Sequence, residues 1–331
     1  MSTARKIRWG VLGWARIARE CVIPAILRSS NSTFHAIGSR DAAKLAECRE
    51  KFSSAKTYSS YDEVLRDPEV DAVYVPLPNS LHREWTIKAA ERGKHVLCEK
   101  PIALNATECR EMISACAANG VTLMEAFMYR YTLRTCKTLE ILRSGVLGDI
   151  KFISSTFRFL LANRSAIKTQ PELGGGSLYD VGCYPVNFVG MVTDEIAGAG
   201  PGKGPLPESV CAELVRAGGV DMIFSGLMKY PSGLIASVNS GFNAQRRVFS
   251  EIVGAKGALE IPDTFFDEAG VLTLTTGNDR REIPVEVSDR YRFEVEDFAD
   301  AILQGRPPQF SLAETQRNTL VLDRLFAACK A

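Results

Sequence analysis

Four polar side chains recur on one face of an otherwise apolar segment that follows three consecutive glycines. Ser177, Asp180, Tyr184 and Asn187 have the i, i+3, i+7, i+10 spacing of one face of an α-helix. A polar stripe is costly to bury against apolar groups, so we expect it to face a cleft or a polar partner. There Tyr184 could exchange a proton and Asp180 could hold a substrate hydroxyl. The alternatives are a solvent-exposed face or a tyrosine half-buried in packing.

A glycine-led turn near the N-terminus has the form of a dinucleotide-binding loop. It follows the apolar run Arg8–Leu12 and has alanine in place of the second and third glycines of the usual fingerprint. The turn reads, in order, Gly13, Trp14, Ala15, Arg16, Ile17 and Ala18. Small residues let the backbone amides approach a pyrophosphate, and the following helix N-terminus favours an anion. The alternative is a tight turn without a ligand.

The end of the second predicted strand indicates which cofactor is bound. An NAD-selective site has Asp or Glu there to bind the ribose 2′-hydroxyl. This chain instead has Ser39 and Arg40, a hydroxyl and a guanidinium that suit a 2′-phosphate. Asp41 follows, and we expect it to cap the next helix. We therefore predict NADP, with NAD bound less well; the alternative is that Arg40 is a solvated surface arginine.

Residues after two further strands are candidates for the cofactor site and the chemistry. Pro78 and Asn79 follow one strand, and Asn79 is predicted to be a helix N-cap near the nicotinamide ribose. For His82, packing and cofactor contact both stay open. Glu99 and Lys100 follow the next strand, at the end where ligands bind in parallel sheets. Beside a positive nicotinamide ring, Lys100 could act as acid or base in hydride transfer; the alternative is a surface ion pair with Glu99.

The elements that must position these residues fall into two groups. In the first third, short apolar runs alternate with amphipathic segments, which predicts a doubly wound parallel Rossmann sheet. Its strands are expected at Arg8–Leu12, Phe34–Gly38, Ala72–Pro76, His95–Cys98 and Thr122–Ala126. Ser60 and Glu63 have the spacing of a capping box, Gly93 and Gly120 stand where helices should end, and Pro24 should bend the first helix.

After about residue 127 the pattern becomes that of an α+β domain with a mostly antiparallel, open sheet. Strands are expected at Lys151–Leu160, Val210–Arg216, Met222–Tyr230, Leu234–Gly241, Val248–Val253 and Val271–Thr275. Helices are expected at Leu133–Leu142, from the glycines to about Val192, at Phe293–Leu303 and at Glu314–Ala328. We predict an α/β protein with domains 1–128 and 129–331, the second serving substrate binding and oligomerisation. The last helix is the one expected to pack back on the first domain.

Composition favours a small-molecule partner. A net charge of +1 over 331 residues provides no field that would recruit nucleic acid or an anionic membrane. Nine scattered cysteines without a C-x-x-C pair argue against a disulfide framework and a zinc site, and the three histidines have no metal-ligand spacing, so we expect no metal. The N-terminus has no secretory apolar region, so a cytoplasmic location is expected.

These motifs together resemble the Gfo/Idh/MocA oxidoreductases over essentially the whole chain. The resemblance is carried by the fingerprint and by four further segments. They are Leu77-Pro78-Asn79 with His82, Glu99-Lys100-Pro101, Glu125 to Arg130, and Gly174 to Pro185. It implies that Lys100 is the catalytic lysine and that Asp180 and Tyr184 are the substrate-side pair, with Tyr184 exchanging the proton. It also implies Leu77 as a cofactor residue and a substrate site that includes Phe127, Arg158, Asn163 and Arg164.

Within the family, the chain is most similar to the branch of NADP-dependent D-xylose dehydrogenase and dimeric dihydrodiol dehydrogenase. Inositol dehydrogenases have His four residues after the aspartate, whereas this chain has Tyr184. The resemblance implies an aldose 1-dehydrogenase acting on a pyranose, with dihydrodiol oxidation or 1,5-anhydrofructose-type reduction as the alternative. It also implies a homodimer or homotetramer. A cofactor-binding sensor without turnover is a third class, but a sensor needs neither Lys100 nor Tyr184.

Overall fold

The apolar runs of the N-terminal third form one parallel sheet. The computed structural model describes residues 5–53, 55–162 and 167–329, so the predicted substrate residues Asn163 and Arg164 lie outside the described residues. The strands are β1 (Ile7–Leu12), β2 (Ser32–Gly38), β3 (Lys56–Tyr58), β4 (Ala72–Val75), β5 (His95–Glu99) and β6 (Leu123–Ala126). Their order is β3-β2-β1-β4-β5-β6 and every pairing is parallel. The chain reverses direction of winding between β1 and β4, which is where such sheets bind dinucleotides. The predicted Rossmann sheet is confirmed.

The helices of this part connect the strands. They are α1 (Ile23–Arg28), α2 (Ala42–Lys51), α3 (Tyr61–Arg66), α4 (His82–Glu91) and α5 (Ala106–Ala118). The capping box of Ser60 and Glu63 is present at α3. Gly93 and Gly120 adopt φ +70° and +64° just after their helices, as the sequence predicted. A π-helical turn, Ala18–Val22, lies immediately before Pro24 and accompanies the loss of that residue's N–H from the helix.

Two glycines let α3 pack directly on the strands that carry the cofactor residues. A Cβ on Gly10 would lie 2.6 Å from Val64 Cγ1. A Cβ on Gly38 would lie 2.8 Å from both Ser60 O and Val64 Cγ2. Because real Cβ atoms do not approach so closely, these positions require glycine. The ends of β1 and β2 are thereby held against one short helix.

The sequence from Tyr129 onward builds a second, larger sheet. Its strands are β7 (Ile150–Leu160), β8 (Ser209–Ala217), β9 (Val220–Lys229), β10 (Ile235–Gly241), β11 (Asn243–Gly254), β12 (Ala258–Pro262), β13 (Gly270–Thr276) and β14 (Asp279–Val285). The order is β14-β13-β12-β11-β7-β10-β9-β8. Among the described pairings of this second sheet, only that of β10 with β7 is parallel. The expectation of a mostly antiparallel sheet is confirmed.

Four helices complete the described chain: α6 (Leu133–Arg143), α7 (Cys183–Ala197), α8 (Arg290–Gln304) and α9 (Leu312–Ala328). α7 packs against β7 and β10 on one face of the large sheet. The opposite face, which we call the open face, carries exposed apolar side chains on three strands. They are Val215 at 55%, Leu227 at 46% and Ile235 at 42% exposure.

By their contacts, the described residues form two compact units. The first comprises the described parts of Met1–Ala103, together with Thr107–Met128 and Asp289–Leu312; the second comprises Leu104–Ala106 and the described parts of Tyr129–Ser288 and Ala313–Ala331. This division differs from the expected one, because the penultimate helix α8, and not the last helix, belongs to the first unit. Phe298 of α8 packs 5.4 Å from the ring of Trp9 in β1. The apolar face of α8 is thus buried in the first unit.

All nine cysteines are thiols, and five of them are buried. Burial raises the pKa of Cys116 to about 12 and that of Cys48 to about 11, so both are unreactive thiols at neutral pH.

None of the described helices combines the length and apolar character needed to span a bilayer.

Candidate active site

The turn after β1 leaves room for a ligand to approach its backbone. Gly13 adopts φ +102°, which favours glycine, and its N–H donates to Gly38 O at 2.8 Å. A Cβ at Gly13 would lie 3.3 Å from Leu77 Cδ2 and 3.4 Å from the Tyr61 hydroxyl oxygen. The glycine therefore keeps the space between the turn, Tyr61 and Leu77 free of side-chain atoms. Such a cradle fits a dinucleotide pyrophosphate, which binds to backbone amides at this position.

The side chains of the turn point away from this cradle or into solvent. The indole of Trp14 is 5% exposed and donates to Glu47 Oε2 at 2.8 Å, so it anchors the turn to α2. Arg16 is exposed and lies 3.7 Å from Glu20 in an ion pair. Ala15 and Ile17 are partly exposed. Any contribution of these residues to cofactor binding would therefore come chiefly from their backbone.

The end of β2 separates the charge of Arg40 from that of Asp41. The Asp41 carboxylate caps α2, accepting hydrogen bonds from the N–H groups of Ala43 at 3.0 Å and Lys44 at 3.3 Å. Burial raises the pKa of Tyr61, and the positive charge of exposed Arg40 offsets part of that rise. Since the Tyr61 hydroxyl borders the Gly13 turn, Arg40 lies at the same corner of the sheet. The Asp41 carboxylate, by contrast, is turned toward a helix.

His82 connects two strand-end loops from inside the first unit. It is fully buried, with Nε2 2.9 Å from Leu77 O and Nδ1 2.9 Å from Pro101 O. Burial lowers the pKa of His82 to about 4, so the ring is neutral at pH 7 and donates through one nitrogen. Of the two roles left open by the sequence, the structure shows packing, without surface for a cofactor. The predicted cap at Asn79 is wrong, because Asn79 begins the 3₁₀ turn and Pro78 is the residue before it.

Lys100 follows β5 next to a carboxylate that is already bound. The hydroxyl of buried Tyr74 donates to Glu99 Oε1 at 2.5 Å, and the Lys100 N–H donates to Glu99 Oε2 at 3.3 Å. Burial first, and then the charge of Glu99, raises the pKa of Tyr74 well above its usual value. Glu99 therefore fixes the backbone from which the Lys100 side chain extends.

A second carboxyl group near Glu99 escaped the sequence analysis. Glu294 on α8 is 1% exposed, and its Oε1 has no hydrogen-bond partner among the described residues. Burial, followed by the charge of Glu99, raises the pKa of Glu294 well above its usual value and so favours its protonated form. The sequence does contain a signal for this burial, because Glu294 shares the apolar side of the helix with Tyr291, Val295 and Phe298.

In the second unit, the three glycines form a turn that no other residue could make. Gly174 adopts φ +76° and Gly176 φ +124°. A Cβ on Gly175 would lie 2.7 Å from Lys168 O, and one on Gly176 would lie 2.2 Å from Asp221 Oδ1. Asp221 in turn accepts hydrogen bonds from the Ser177 hydroxyl and the Leu178 N–H, each at 2.7 Å. Sequence reasoning missed Asp221, which comes from a distant strand and fixes the start of the following helix.

The predicted single polar face of this helix is not what the structure shows. Residues Leu178–Gly182 form a π-helical turn before α7, which shifts the residues after it around the axis. Ser177 is fully buried in hydrogen bonds with Asp221 and Ser240, and Asn187 is 2% exposed and accepts from the Tyr129 hydroxyl at 2.6 Å. These two polar groups therefore have polar partners in the interior, as one of the sequence-based alternatives allowed, whereas Asp180 and Tyr184 stay the predicted substrate residues of this segment.

Tyr184 lies in a cluster of aromatic rings. It is 4% exposed, and its ring centroid lies within 6 Å of three others. They are Phe265 at 5.3 Å, Phe157 at 5.4 Å and Tyr129 at 5.9 Å. Gly182, within the π-helical turn, allows that turn to pack closely on β10, since a Cβ there would lie 3.0 Å from Ser240 Oγ. The tyrosine is thus rigidly held at the edge of an apolar wall.

Asp180 is paired with a lysine that the sequence analysis did not single out. Lys168 Nζ lies 2.6 Å from Asp180 Oδ2, with the side chains 39% and 16% exposed. The same ammonium lies 5.2 Å from the centroid of the Phe159 ring. The separation of Lys168 and Asp180 by an irregular segment explains why no periodic pattern indicated the pair.

Two other residues, Phe127 and Arg158, were predicted to belong to the substrate site. Phe127 is fully buried in the first unit, with its ring 5.4 Å from that of Phe310. Because Phe157 packs on Tyr184 and strand side chains alternate, the next residue, Arg158, projects from the open face. There it stands directly opposite Arg247 of β11. The substrate roles of Phe127 and Arg158 stay predictions.

Among the described residues, one group of histidine and acidic side chains could hold a metal ion. Ligand atoms of His35, Asp67 and Glu69 lie within 4.8 Å of one another. Lys56 Nζ already pairs with Glu69 at 2.5 Å and with Asp67 at 3.4 Å. Burial alone would raise the pKa of Asp67, but hydrogen bonds from Glu69 N–H, Tyr58 and His35 lower it to about 2. The group is accounted for as an ion-pair network.

Comparison with known proteins covers both units. Residues 7–127 match the GFO/IDH/MocA model described as "Oxidoreductase family, NAD-binding Rossmann fold", and residues 136–260 match the "GFO/IDH/MocA C-terminal domain". The chain is 35% identical to D-xylose 1-dehydrogenase (NADP(+)) 2 of Haloferax volcanii over 97% of both chains. It is 30% identical to trans-1,2-dihydrobenzene-1,2-diol dehydrogenase of Xenopus laevis over 96% of each.

The fold is also that of a solved enzyme structure. A 3-ketoreductase from Actinomadura kijaniata, in complex with NADP and TDP-benzene, superposes with a TM-score of 0.90. The two chains are 27% identical, and the superposition covers 98% of each.

Proposed function

The chain belongs to the Gfo/Idh/MocA oxidoreductase family, and on that premise we propose that it is an NADP-dependent aldose 1-dehydrogenase of the D-xylose or glucose type. It would transfer a hydride between nicotinamide and a sugar-like alcohol or carbonyl group. The observation that carries the substrate class is the 35% identity to a D-xylose 1-dehydrogenase across 97% of both chains. That relationship extends over the substrate-side residues as well as the cofactor domain.

NADP is proposed as the cofactor on the charges at the end of β2. The Gly13 turn would bind the pyrophosphate through its backbone, and Ser39 and Arg40 would bind the 2′-phosphate. Asp41 is committed to the cap of α2 by two hydrogen bonds, so it does not compete for the ribose. When bound, NADP supplies the site that accepts or donates the hydride.

The proton is proposed to move through Lys100 and Tyr184. Lys100 extends from a backbone fixed by Glu99 and would contribute positive charge and proton exchange. Tyr184 is held in its aromatic cluster and would donate or accept the proton of the reacting oxygen. Asp180 would hold a substrate hydroxyl, because a carboxylate accepts hydrogen bonds that a sugar readily donates.

The alternative reaction, oxidation of a trans-dihydrodiol, is favoured by one specific feature. Around Tyr184 the site wall is aromatic, with the rings of Phe157 and Phe265 stacked at 5.6 Å and Phe266 beside Phe157 at 5.6 Å. Of these rings Phe266 is partly exposed, and it would accept the flat carbocycle of a dihydrodiol. Reduction of a 1,5-anhydrofructose-type ketone remains a further variant of the same chemistry. The different class, a sensor without turnover, would not require Lys100 or Tyr184.

We also propose a homodimer or homotetramer whose subunits meet through the open face. On that face Arg158 stands opposite Arg247, and Glu251 stands opposite Glu260. Like charges directly opposite one another are unfavourable within a sheet. A second copy related by a two-fold axis would bring the cationic pair against the acidic pair and cover the exposed Leu227 and Ile235. The presence of nine cysteine thiols supports a reducing, cytoplasmic location.

The experiment follows NADPH absorbance with purified protein and a panel of pentoses, hexoses and dihydrodiols. We expect NADP reduction with D-xylose or D-glucose. Lys100→Ala and Tyr184→Phe should each lower kcat by about 10²- to 10⁴-fold, the usual contribution of an acid or base, while NADPH binding persists. Lys137→Ala on the surface of α6 serves as the control. NADPH binding without turnover across the whole panel would instead support the sensor.

A further inference from the structure

We propose that Lys168 is a substrate-binding residue that, with Asp180, holds two adjacent hydroxyl groups of the substrate. The pair would make the enzyme selective for vicinal diols over simple alcohols. This inference rests on the function proposed above and specifies its substrate class. Aldoses and trans-dihydrodiols, the two classes under consideration, share this vicinal arrangement.

The first argument is that the carboxylate of the ion pair is largely buried. Lys168 Nζ and Asp180 Oδ2 are 2.6 Å apart, and the Asp180 side chain is only 16% exposed. Exposed ion pairs contribute little to stability and are often mobile. A mostly buried carboxylate, by contrast, needs a counter-charge, and Lys168 supplies it. The pair is therefore a fixed feature of the second unit.

The second argument is that the backbone of Lys168 is built into the glycine turn. Lys168 O accepts a hydrogen bond from Gly176 N–H at 2.8 Å. The absence of a Cβ at Gly175 is what permits this approach, since that atom would lie 2.7 Å from Lys168 O. The turn leads directly into the π-helical segment that carries Asp180. Both charged groups are thus positioned by the same turn.

The third argument is the chemistry that the pair offers. An ammonium group has three N–H donors, and a carboxylate has only acceptor sites. Each hydroxyl of a vicinal diol both donates and accepts, so one can donate to Asp180 while its neighbour accepts from Lys168. The ring of Phe159, 5.2 Å from the ammonium, adds an apolar surface for the C–H face of a cyclic substrate. A lone alcohol satisfies only half of this arrangement.

The test crosses an enzyme variant with substrate analogues. We compare the wild type and Lys168→Met on D-xylose and on its 2-deoxy, 3-deoxy and 4-deoxy forms. On D-xylose, Lys168→Met should lower kcat/KM by about 10- to 100-fold, as expected for a hydrogen bond from a charged group, and mainly through KM. For the deoxy analogue that lacks the hydroxyl bound by Lys168, kcat/KM of the variant should be nearly the same as that of the wild type.

Equal losses on D-xylose and on all three analogues would overturn the proposal, because they would mean that Lys168 only fixes the turn. Lys168→Arg should recover part of the loss, and Lys137→Met should match the wild type. NADPH binding and thermal unfolding are measured for each variant. If Lys168→Met is unstable, Lys168→Gln replaces it in the same comparison. If the wild type turns over D-xylose and Lys168→Met is unaffected, the role of Lys168 is refuted and the proposed function stands. If the wild type shows no turnover, the proposed function and this inference are both refuted.

Discussion

At the end of β2, adjacent residues of opposite charge serve different purposes. The Asp41 carboxylate is bound by two backbone N–H groups at the start of α2. Arg40 is exposed and lies near enough to Tyr61 for its charge to affect the pKa of that hydroxyl. Because Tyr61 borders the Gly13 turn, the guanidinium is available to a phosphate bound nearby. We therefore propose that the preference for NADP over NAD depends chiefly on Arg40.

Replacing that side chain should change cofactor selectivity. Arg40→Ala should weaken NADP binding by about 10- to 100-fold, because it removes charge-assisted hydrogen bonds to a phosphate. NAD has no 2′-phosphate, and its affinity should change little. Titration of both cofactors by calorimetry measures the difference.

Arg49→Ala is the matched control, since Arg49 is exposed on α2 and donates to Thr57. Equal losses for NADP and NAD in Arg40→Ala would contradict the assignment.

Residues whose roles depend on their immediate neighbours were predictable from the sequence. Asp41 as a cap and the capping box of Ser60 and Glu63 are examples, because the partners lie within three residues. Lys168, Asp221 and Glu294 were not predictable. Asp221 acts on Ser177, 44 residues away, and Glu294 is brought to Glu99 by a helix from the far end of the chain. Such pairings are determined by tertiary packing.

At the scale of the elements, two π-helical turns explain why helical periodicity did not predict correctly which residues share a helix face. One precedes Pro24, and the other, Leu178–Gly182, precedes Pro185. Each widened turn rotates the following residues relative to an ideal α-helix. A stripe spaced at i, i+3, i+7 and i+10 therefore does not stay on one face, and Ser177 and Asn187 enter the interior. Asp180 sits within such a turn.

The glycine turn before Asp180 makes a direct prediction about stability. Gly176→Ala should lower the free energy of unfolding by about 2–4 kcal/mol, since it combines an unfavourable φ with a close contact to the Asp221 carboxylate. Gly277→Ala is the matched control, because Gly277 also has positive φ but has nothing within 4 Å of its Cβ position. It should cost about 1 kcal/mol. Chemical denaturation measures both.

The double variant Gly176→Ala/Asp221→Ala tests the cause. It should be less unstable than the sum of the two single changes, because the clash is removed. Additive losses would show that contact with Asp221 is not the reason for the glycine.

Two of the three strands that the sequence analysis missed lie at sheet edges. β3 has three residues at the edge of the parallel sheet, and β14 is an edge strand that reads Asp-Arg-Arg-Glu-Ile-Pro-Val. Charged residues and proline are typical of edge strands because they discourage further pairing. The same composition hides such strands from a search for apolar alternation. The third missed strand, β12, is a short central one of five residues, and the other central strands were located to within a few residues.

For the molecule as a whole, the open face predicts the assembly state. Leu227→Glu/Ile235→Glu should convert the proposed oligomer to a monomer, because two buried apolar contacts would become charges at the interface. Light scattering after size exclusion gives the mass directly. Leu27→Glu, an exposed position on α1 of the first unit, should leave the mass unchanged. A monomeric wild type would contradict the proposal.

The position of α8 in the chain has a consequence for synthesis. Residues 7–127 match a family model of their own, yet the surface of Trp9 is covered by Phe298, which the ribosome adds 289 positions later. During translation the nascent cofactor domain must wait, with that surface bare, until the entire second sheet has emerged. Cutting the gene at the family boundary would therefore not release a finished module. In a fusion or a domain exchange, the fragment that must travel with residues 7–127 is the helix near the other end of the chain.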